Sequence, residues 1–87
     1  MQSYTVYILQ SRKDGGYYIG QTENLGARVK KHELGQVRST KNRRPFVLIQ
    51  SEGYKTRGEA RKRENYLKSL KGGNEFKKII SNYSGIV

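Results

Sequence analysis

The stretch from Tyr18 to His32 holds the side chains with the clearest chemical potential in this sequence. An aromatic hydroxyl belongs to a strand-like run, Tyr18-Ile19-Gly20, and is followed by Arg28 and, four residues later, by the only histidine, His32. That spacing puts Arg28 and His32 on one face of a helix, one turn apart. A phenol, a guanidinium and an imidazole gathered where a strand runs into a helix suit the handling of a phosphate better than they suit packing. Scarcity narrows the chemistry further. A single histidine rules out sites that need two, and the absence of cysteine rules out disulfides and thiolate metal sites. The carboxylates Asp14, Glu23, Glu33, Glu52, Glu59, Glu64 and Glu75 are scattered, whereas a two-metal nuclease gathers several on one site. A metal site here is therefore expected to hold one ion with very few protein ligands.

The charge balance points to the partner. Eighteen Lys plus Arg against seven Asp plus Glu gives a formal charge of +11, enough for a field of several kT over much of the surface. Nucleic acid is favoured over membrane, because no run approaches the ~20 apolar residues of a spanning helix and the cations are spread along the whole chain. Eighty-seven residues, a third of them hydrophobic, suffice for one domain over 1–87 with one modest core. Met1-Gln2-Ser3-Tyr4 has neither the charged nor the apolar region of a secretory signal, so a cytoplasmic protein is the expectation.

The elements that must position these residues follow from local pattern. Tyr4 to Gln10 reads as a strand, with Tyr7 on one face beside Thr5 and Leu9, and Val6 with Ile8 on the other. Asp14-Gly15-Gly16 favours a hairpin turn, so Tyr17 to Gln21 pairs antiparallel and brings Tyr17 or Tyr18 next to Tyr7, according to register. Thr22 or Asn24 can cap a helix that runs to about Leu34 and stops at Gly35. Gln36 to Arg44 is a basic loop without a carboxylate, able to follow a phosphate backbone or to serve as a solvated connection. Phe46 to Ser51, nearly continuously apolar, reads as the buried central strand. Thr56-Arg57-Gly58-Glu59 has capping-box spacing and opens a helix to about Leu70, which Gly72-Gly73 ends. Its inward stripe is Ala60, Leu67 and Leu70; Glu64 lies on the stripe's edge and needs a partner, for which Arg63 and Arg28 are the structural candidates. A last helix over about 74–83 carries Phe76, Ile79, Ile80 and Tyr83 at i, i+3, i+4, i+7, before Gly85-Ile86-Val87 frays.

Thr5-Val6-Tyr7, Tyr18-Ile19-Gly20, the ten-residue step to Arg28, His32 one turn later, and Glu59-Ala60-Arg61-Lys62-Arg63-Glu64 in a later helix together resemble the GIY-YIG endonuclease superfamily, closest to its small stand-alone bacterial members. The resemblance covers roughly residues 4–71. It implies an α/β (α+β) fold, a three-stranded antiparallel sheet flanked by about three helices. It also implies divalent-metal-dependent hydrolysis of phosphodiester bonds in DNA, a class of activity used in DNA repair. Carried over, Tyr7 and Tyr18 match the motif tyrosines, Arg28 the catalytic arginine, His32 a histidine found in a subset of members, and Glu64 the glutamate that holds one Mg2+ or Mn2+. Asn74 is the position that corresponds to a later family asparagine. Two departures stand out: Thr5-Val6 replaces Gly-Ile, and Gln21 stands where some members have lysine, which excludes a lysine-assisted variant.

In this reading Tyr7 or Tyr18, with Tyr7 the family's choice, orients or deprotonates the water, and Arg28 forks onto the scissile phosphate. Glu64 holds the ion, and His32 orients a tyrosine or moves a proton. Lys31, Arg38, Lys41, Arg43 and Arg44 are the candidate contacts to the nucleic-acid backbone. All five site residues are expected on one basic, concave face. The competing reading is a non-catalytic nucleic-acid-binding module of the same fold, which gives Glu64 no task. RNA as substrate, a protein partner and the oligomeric state stay open.

Overall fold

A computed structural model describes residues 3–84 of the chain. The elements run β1 (Tyr4–Ser11), β2 (Tyr17–Thr22), α1 (Leu25–Glu33), a 3-10 turn (Lys41–Arg43), β3 (Phe46–Tyr54), α2 (Arg57–Ser69) and α3 (Asn74–Ser84). The strands form one antiparallel sheet in the order β2-β1-β3, so the expected α+β architecture holds. The helical stripe expected at Tyr83 and the fraying of Gly85-Ile86-Val87 lie outside the residues whose side chains are described.

The order corrects one expectation. The apolar run Phe46 to Ser51 belongs to an edge strand, and the centre is β1, whose Val6, Tyr7, Ile8 and Leu9 are all 1% exposed. On β3, Val47 and Leu48 remain 38% and 40% exposed. The run has a local cause: the β1–β3 register shifts between Ile8 and Leu9, so Gln50 pairs with Ile8 while Leu48 pairs with Leu9. Ile49 is the extra residue of this bulge.

Alternation in β1 sorts the molecule into two sides. Val6 and Ile8 pack with Ala60 and Leu67 of α2 and Phe76 of α3, joined by Tyr17, Ile19 and Ile49. Tyr7 and Leu9 face the other way, toward α1 and the loop after it. Pairing of Leu9 with Tyr18 and of Tyr7 with Gly20 settles the open register, since directly paired residues share a face. It is Tyr18, not Tyr17, that joins Tyr7.

The caps form much as their residues dictate. The Asn24 side chain accepts from the Ala27 amide to open α1, and Thr56 and Glu59 close a full capping box on α2. Gly35 follows α1 at φ +76°, a conformation that costs glycine nothing. The connection at 36–44 is a built structure and no loose tether. Val37 and Thr40 are buried, the Ser11 hydroxyl donates to the Arg43 carbonyl at 2.6 Å, and Arg43 forks onto Asp14 of the β1–β2 turn at 2.9 and 3.3 Å.

Candidate active site

β1, β2 and α1 converge on one buried phenol. Tyr7 Oη lies 2.9 Å from His32 Nε2 and accepts from Arg28 Nε at 3.3 Å. The Tyr18 ring lies 6.2 Å from that of Tyr7 and stands edge-on to His32 at 4.9 Å, while Phe46 closes the far side of the imidazole at 6.3 Å. Behind the histidine, Nδ1 is 2.8 Å from the Thr40 hydroxyl, which also reaches the Val37 carbonyl at 3.3 Å. Gly20 makes this approach possible, since a Cβ there would stand 2.6 Å from Tyr7 Oη.

Burial and one cation set the protonation states. Burial raises the Tyr7 pKa above its ordinary 10.0, and the Arg28 hydrogen bond opposes the rise without cancelling it. Tyr7 is therefore a neutral phenol, and the Arg28 cation beside it does not bring its pKa below the ordinary value. Burial, and after it the Arg28 charge, lower the His32 pKa from 6.5, so the imidazole is neutral near pH 7 and can take a proton. The hydrogen bond to Tyr7 leads in raising the Arg28 pKa, and no carboxylate pairs with Arg28 among the described residues.

Glu64 is placed differently. Its Oε1 accepts from Gln21 Nε2 at 3.0 Å and its Oε2 pairs with Lys68 at 2.7 Å, so its partner is neither Arg63 nor Arg28. Gln21 pairs with Val6, which puts this contact on the α2 face of the sheet. Tyr7, Tyr18, Arg28 and His32 thus share one side, and Glu64 comes to β2 from the other. What the two sets share is the free edge of β2. One groove there is lined by Tyr18 together with Lys68 and Lys71, and another, at the strand's far end, by Thr22, Arg28 and Lys31.

Two carboxylates lie at this edge, Glu64, whose side chain is 14% exposed, and Glu23, which lines the second groove and pairs with Arg57, and no cluster of three or more potential ligands occurs among the described residues. Such a donor set fits a single magnesium ion that keeps most of its waters, and does not fit an ion that needs an all-protein cage.

Of the expected backbone contacts, Lys31, Arg38 and Lys41 are exposed with uncommitted ammonium or guanidinium groups. Arg43 is occupied by Asp14, and Arg44 donates to the Lys41 and Glu33 carbonyls, so these two hold the loop in shape. Lys13, which lines a basic hollow with Lys41 and Arg44, went unforeseen, as did Lys68, Lys71 and Thr40. Nothing in the sequence sets Thr40 apart from the polar residues around it. For Lys68, the i, i+4 spacing from Glu64 was the available signal.

Comparison with known proteins identifies the family. Residues 3–78 match the family model described as the GIY-YIG catalytic domain. UPF0213 proteins from Staphylococcus aureus strains Mu50 and N315 are 44% identical over 70 residues, covering 79% of this chain and 84% of theirs. The solution NMR structure of a UPF0213 protein from Bacillus halodurans superposes with a TM-score of 0.57 at 31% identity, over 94% of this chain and 85% of that one. No helix among the described residues is long and apolar enough to cross a membrane. With the motif tyrosines, arginine and histidine in mutual contact on the expected strands and helix, the chain belongs to the GIY-YIG family of catalytic domains.

Proposed function

We propose that this protein is a one-metal endonuclease that hydrolyses phosphodiester bonds in DNA. The observation that carries the reading is the hydrogen-bonded line Arg28–Tyr7–His32, in which an arginine without a carboxylate partner stands beside a phenol whose neighbour can accept a proton. Arg28 has further donors with which to fork onto a phosphate at the edge of β2. The attacking water gives its proton to the Tyr7 oxygen while the Tyr7 proton passes to His32 Nε2, so a neutral phenol serves as relay and the imidazole as final base. Tyr18 orders the imidazole edge-on and lines the groove. Glu64 would hold Mg2+ or Mn2+, which supplies Lewis-acid stabilisation to the phosphate and the leaving oxygen when bound. Lys31, Arg38, Lys41 and Lys13 follow the backbone of the substrate, and the working domain is the whole of 1–87.

One observation favours a second reading, a basic binding module that does not cleave: Lys68 already satisfies the Glu64 carboxylate. A cleavage screen decides between them, using branched, flapped, single-stranded and duplex DNA and the matching RNAs, with Mg2+, Mn2+ or a chelator. The nuclease reading expects metal-dependent cleavage of at least one DNA substrate, lost in Glu64→Ala while binding persists. Cleavage that survives Glu64→Ala, or its absence on every substrate, would reject it.

A further inference from the structure

We propose that Thr40 is a positioning residue that holds His32 in the Nδ1–H tautomer and so keeps Nε2 open toward Tyr7. Its catalytic consequence rests on the nuclease reading above, but the tautomer itself does not.

The inference follows from counting protons in a closed space. A threonine hydroxyl has one proton and can donate once. Thr40 Oγ1 lies within reach of two groups, the Val37 carbonyl at 3.3 Å and His32 Nδ1 at 2.8 Å. The hydroxyl is placed to donate to the carbonyl, which also receives the amides of Thr40 at 3.1 Å and Lys41 at 3.0 Å, and with its proton so directed Oγ1 faces the imidazole with a lone pair. His32 Nδ1 is left to donate, and a neutral ring that donates from Nδ1 accepts at Nε2. Tyr7 Oη stands 2.9 Å from that nitrogen and already receives the Arg28 Nε proton, so its own proton is the one directed at Nε2. The whole line then runs one way: Arg28 N–H to Tyr7 O–H to His32 Nε2, and His32 Nδ1–H to Thr40 O–H to the Val37 carbonyl.

The opposite tautomer would turn Nε2–H toward the Tyr7 oxygen, which would then face two donors with its own proton displaced. In that state Tyr7 could not pass a proton to His32. Both His32 and Thr40 are within 1% of complete burial, so bulk water offers the ring no substitute partner at Nδ1. Tyr7, Tyr18 and Arg28 are the titratable or charged groups that face the imidazole, and none of them approaches Nδ1. When the proton arrives at Nε2, the imidazolium keeps its Nδ1–H bond to Thr40, so the transfer needs no rearrangement behind the ring. A hydroxyl that acts two residues away from the water thereby fixes the direction in which the proton can travel.

The single histidine makes the test direct, since long-range 1H–15N correlation spectra of the uniformly labelled protein contain one imidazole. The wild type is expected to show a protonated Nδ1 and an unprotonated Nε2 at pH 7.5. Thr40→Val, which matches the shape but cannot accept, is expected to move both nitrogen shifts toward the averaged or Nε2–H pattern, and Thr40→Ser to restore the wild-type pattern. In cleavage assays the Thr40→Val variant should lose roughly tenfold or more in kcat with KM little changed, and Thr40→Ser should recover most of it. A wild-type spectrum with the proton on Nε2 overturns the proposal, as does a Thr40→Val protein that keeps the Nδ1–H pattern. Should Thr40→Val not fold, the wild-type and Thr40→Ser spectra still decide. If no substrate is cleaved, the nuclease reading fails while the spectra continue to judge the role of Thr40.

Discussion

Two arginine–tyrosine clusters lie on opposite faces of the same sheet, and the difference between them shows what makes a site. On the α2 face, Arg63 forks onto Glu52 at 2.9 and 3.1 Å, and Glu52 also receives the Tyr54 hydroxyl at 2.8 Å and the Gln50 amide. Burial alone would raise the Glu52 pKa, yet the bonds from Arg63 and Tyr54 carry it below its ordinary value, while burial and the same carboxylate push Tyr54 up to about 12. Arg63, Tyr54 and Gln50 all donate to that one carboxylate, while Gln50 Oε1 is buried without a partner among the described residues. On the α1 face, Arg28 has a phenol where Arg63 has a carboxylate, and no carboxylate pairs with it among the described residues. The first cluster has its arginine charge balanced within the fold, and the second, on the proposed function, gains its anion only when a phosphate binds.

The largest expected contrast is catalytic. Arg28→Ala should lower kcat by about 10²- to 10³-fold or more, the scale of losing a fixed donor to developing charge, with DNA affinity little changed. Arg63→Ala should leave kcat at the wild-type value, and a matching loss there would erase the distinction between the clusters.

Stability should divide the other way. Glu52→Ala strands Arg63 and Gln50 on a half-buried face and is expected to cost about 1–3 kcal/mol, read as a lower urea midpoint at unchanged slope. Arg28→Ala, which breaks no ion pair, should cost less, and the reverse ranking would show that the α1 cluster is structural.

The smallest effect is a pH dependence. The His32 pKa is lowered in the folded protein, so the unfolded chain takes up a proton first as pH falls through 6.5. The stabilisation is full above 6.5 and is lost as pH drops through the lower folded value. Urea midpoints between pH 7.5 and 5 should therefore decline in the wild type and decline less in His32→Gln; equal slopes would mean that burial does not hold the ring neutral.

Much of this was legible because it is local. The Thr56–Glu59 box, the Asn24 cap and the four-residue step from Arg28 to His32 are spacings a chain cannot hide, and the alternation of Val6, Tyr7 and Ile8 sorted the core from the site. Most of the failures involve partners distant in sequence. Glu64 needed a partner, and pattern reading offered Arg63 or Arg28, whereas Gln21 from β2 and Lys68 one turn on supply it. Arg43 looked free because its anion, Asp14, lies 29 residues away in the hairpin turn. The continuous run Phe46 to Ile49 has two physical sources, burial on both faces or a bulge that swaps faces, and only the fold distinguishes them.

That swap has a further reach. Residues 46, 48, 50, 52 and 54 would lie on one face of an unbroken strand, but the extra Ile49 gives β3 two parities. Its far half delivers Gln50, Glu52 and Tyr54 to the ion-paired side, and its near half delivers Phe46 to the wall beside His32. A single ribbon thus supplies both a wall of the candidate site and the brace behind it. Removing Ile49 would join Leu48 to Gln50 in plain alternation and leave both halves on their present faces, whereas pairing the full-length strand without the bulge would turn Phe46 to the brace and uncover the imidazole.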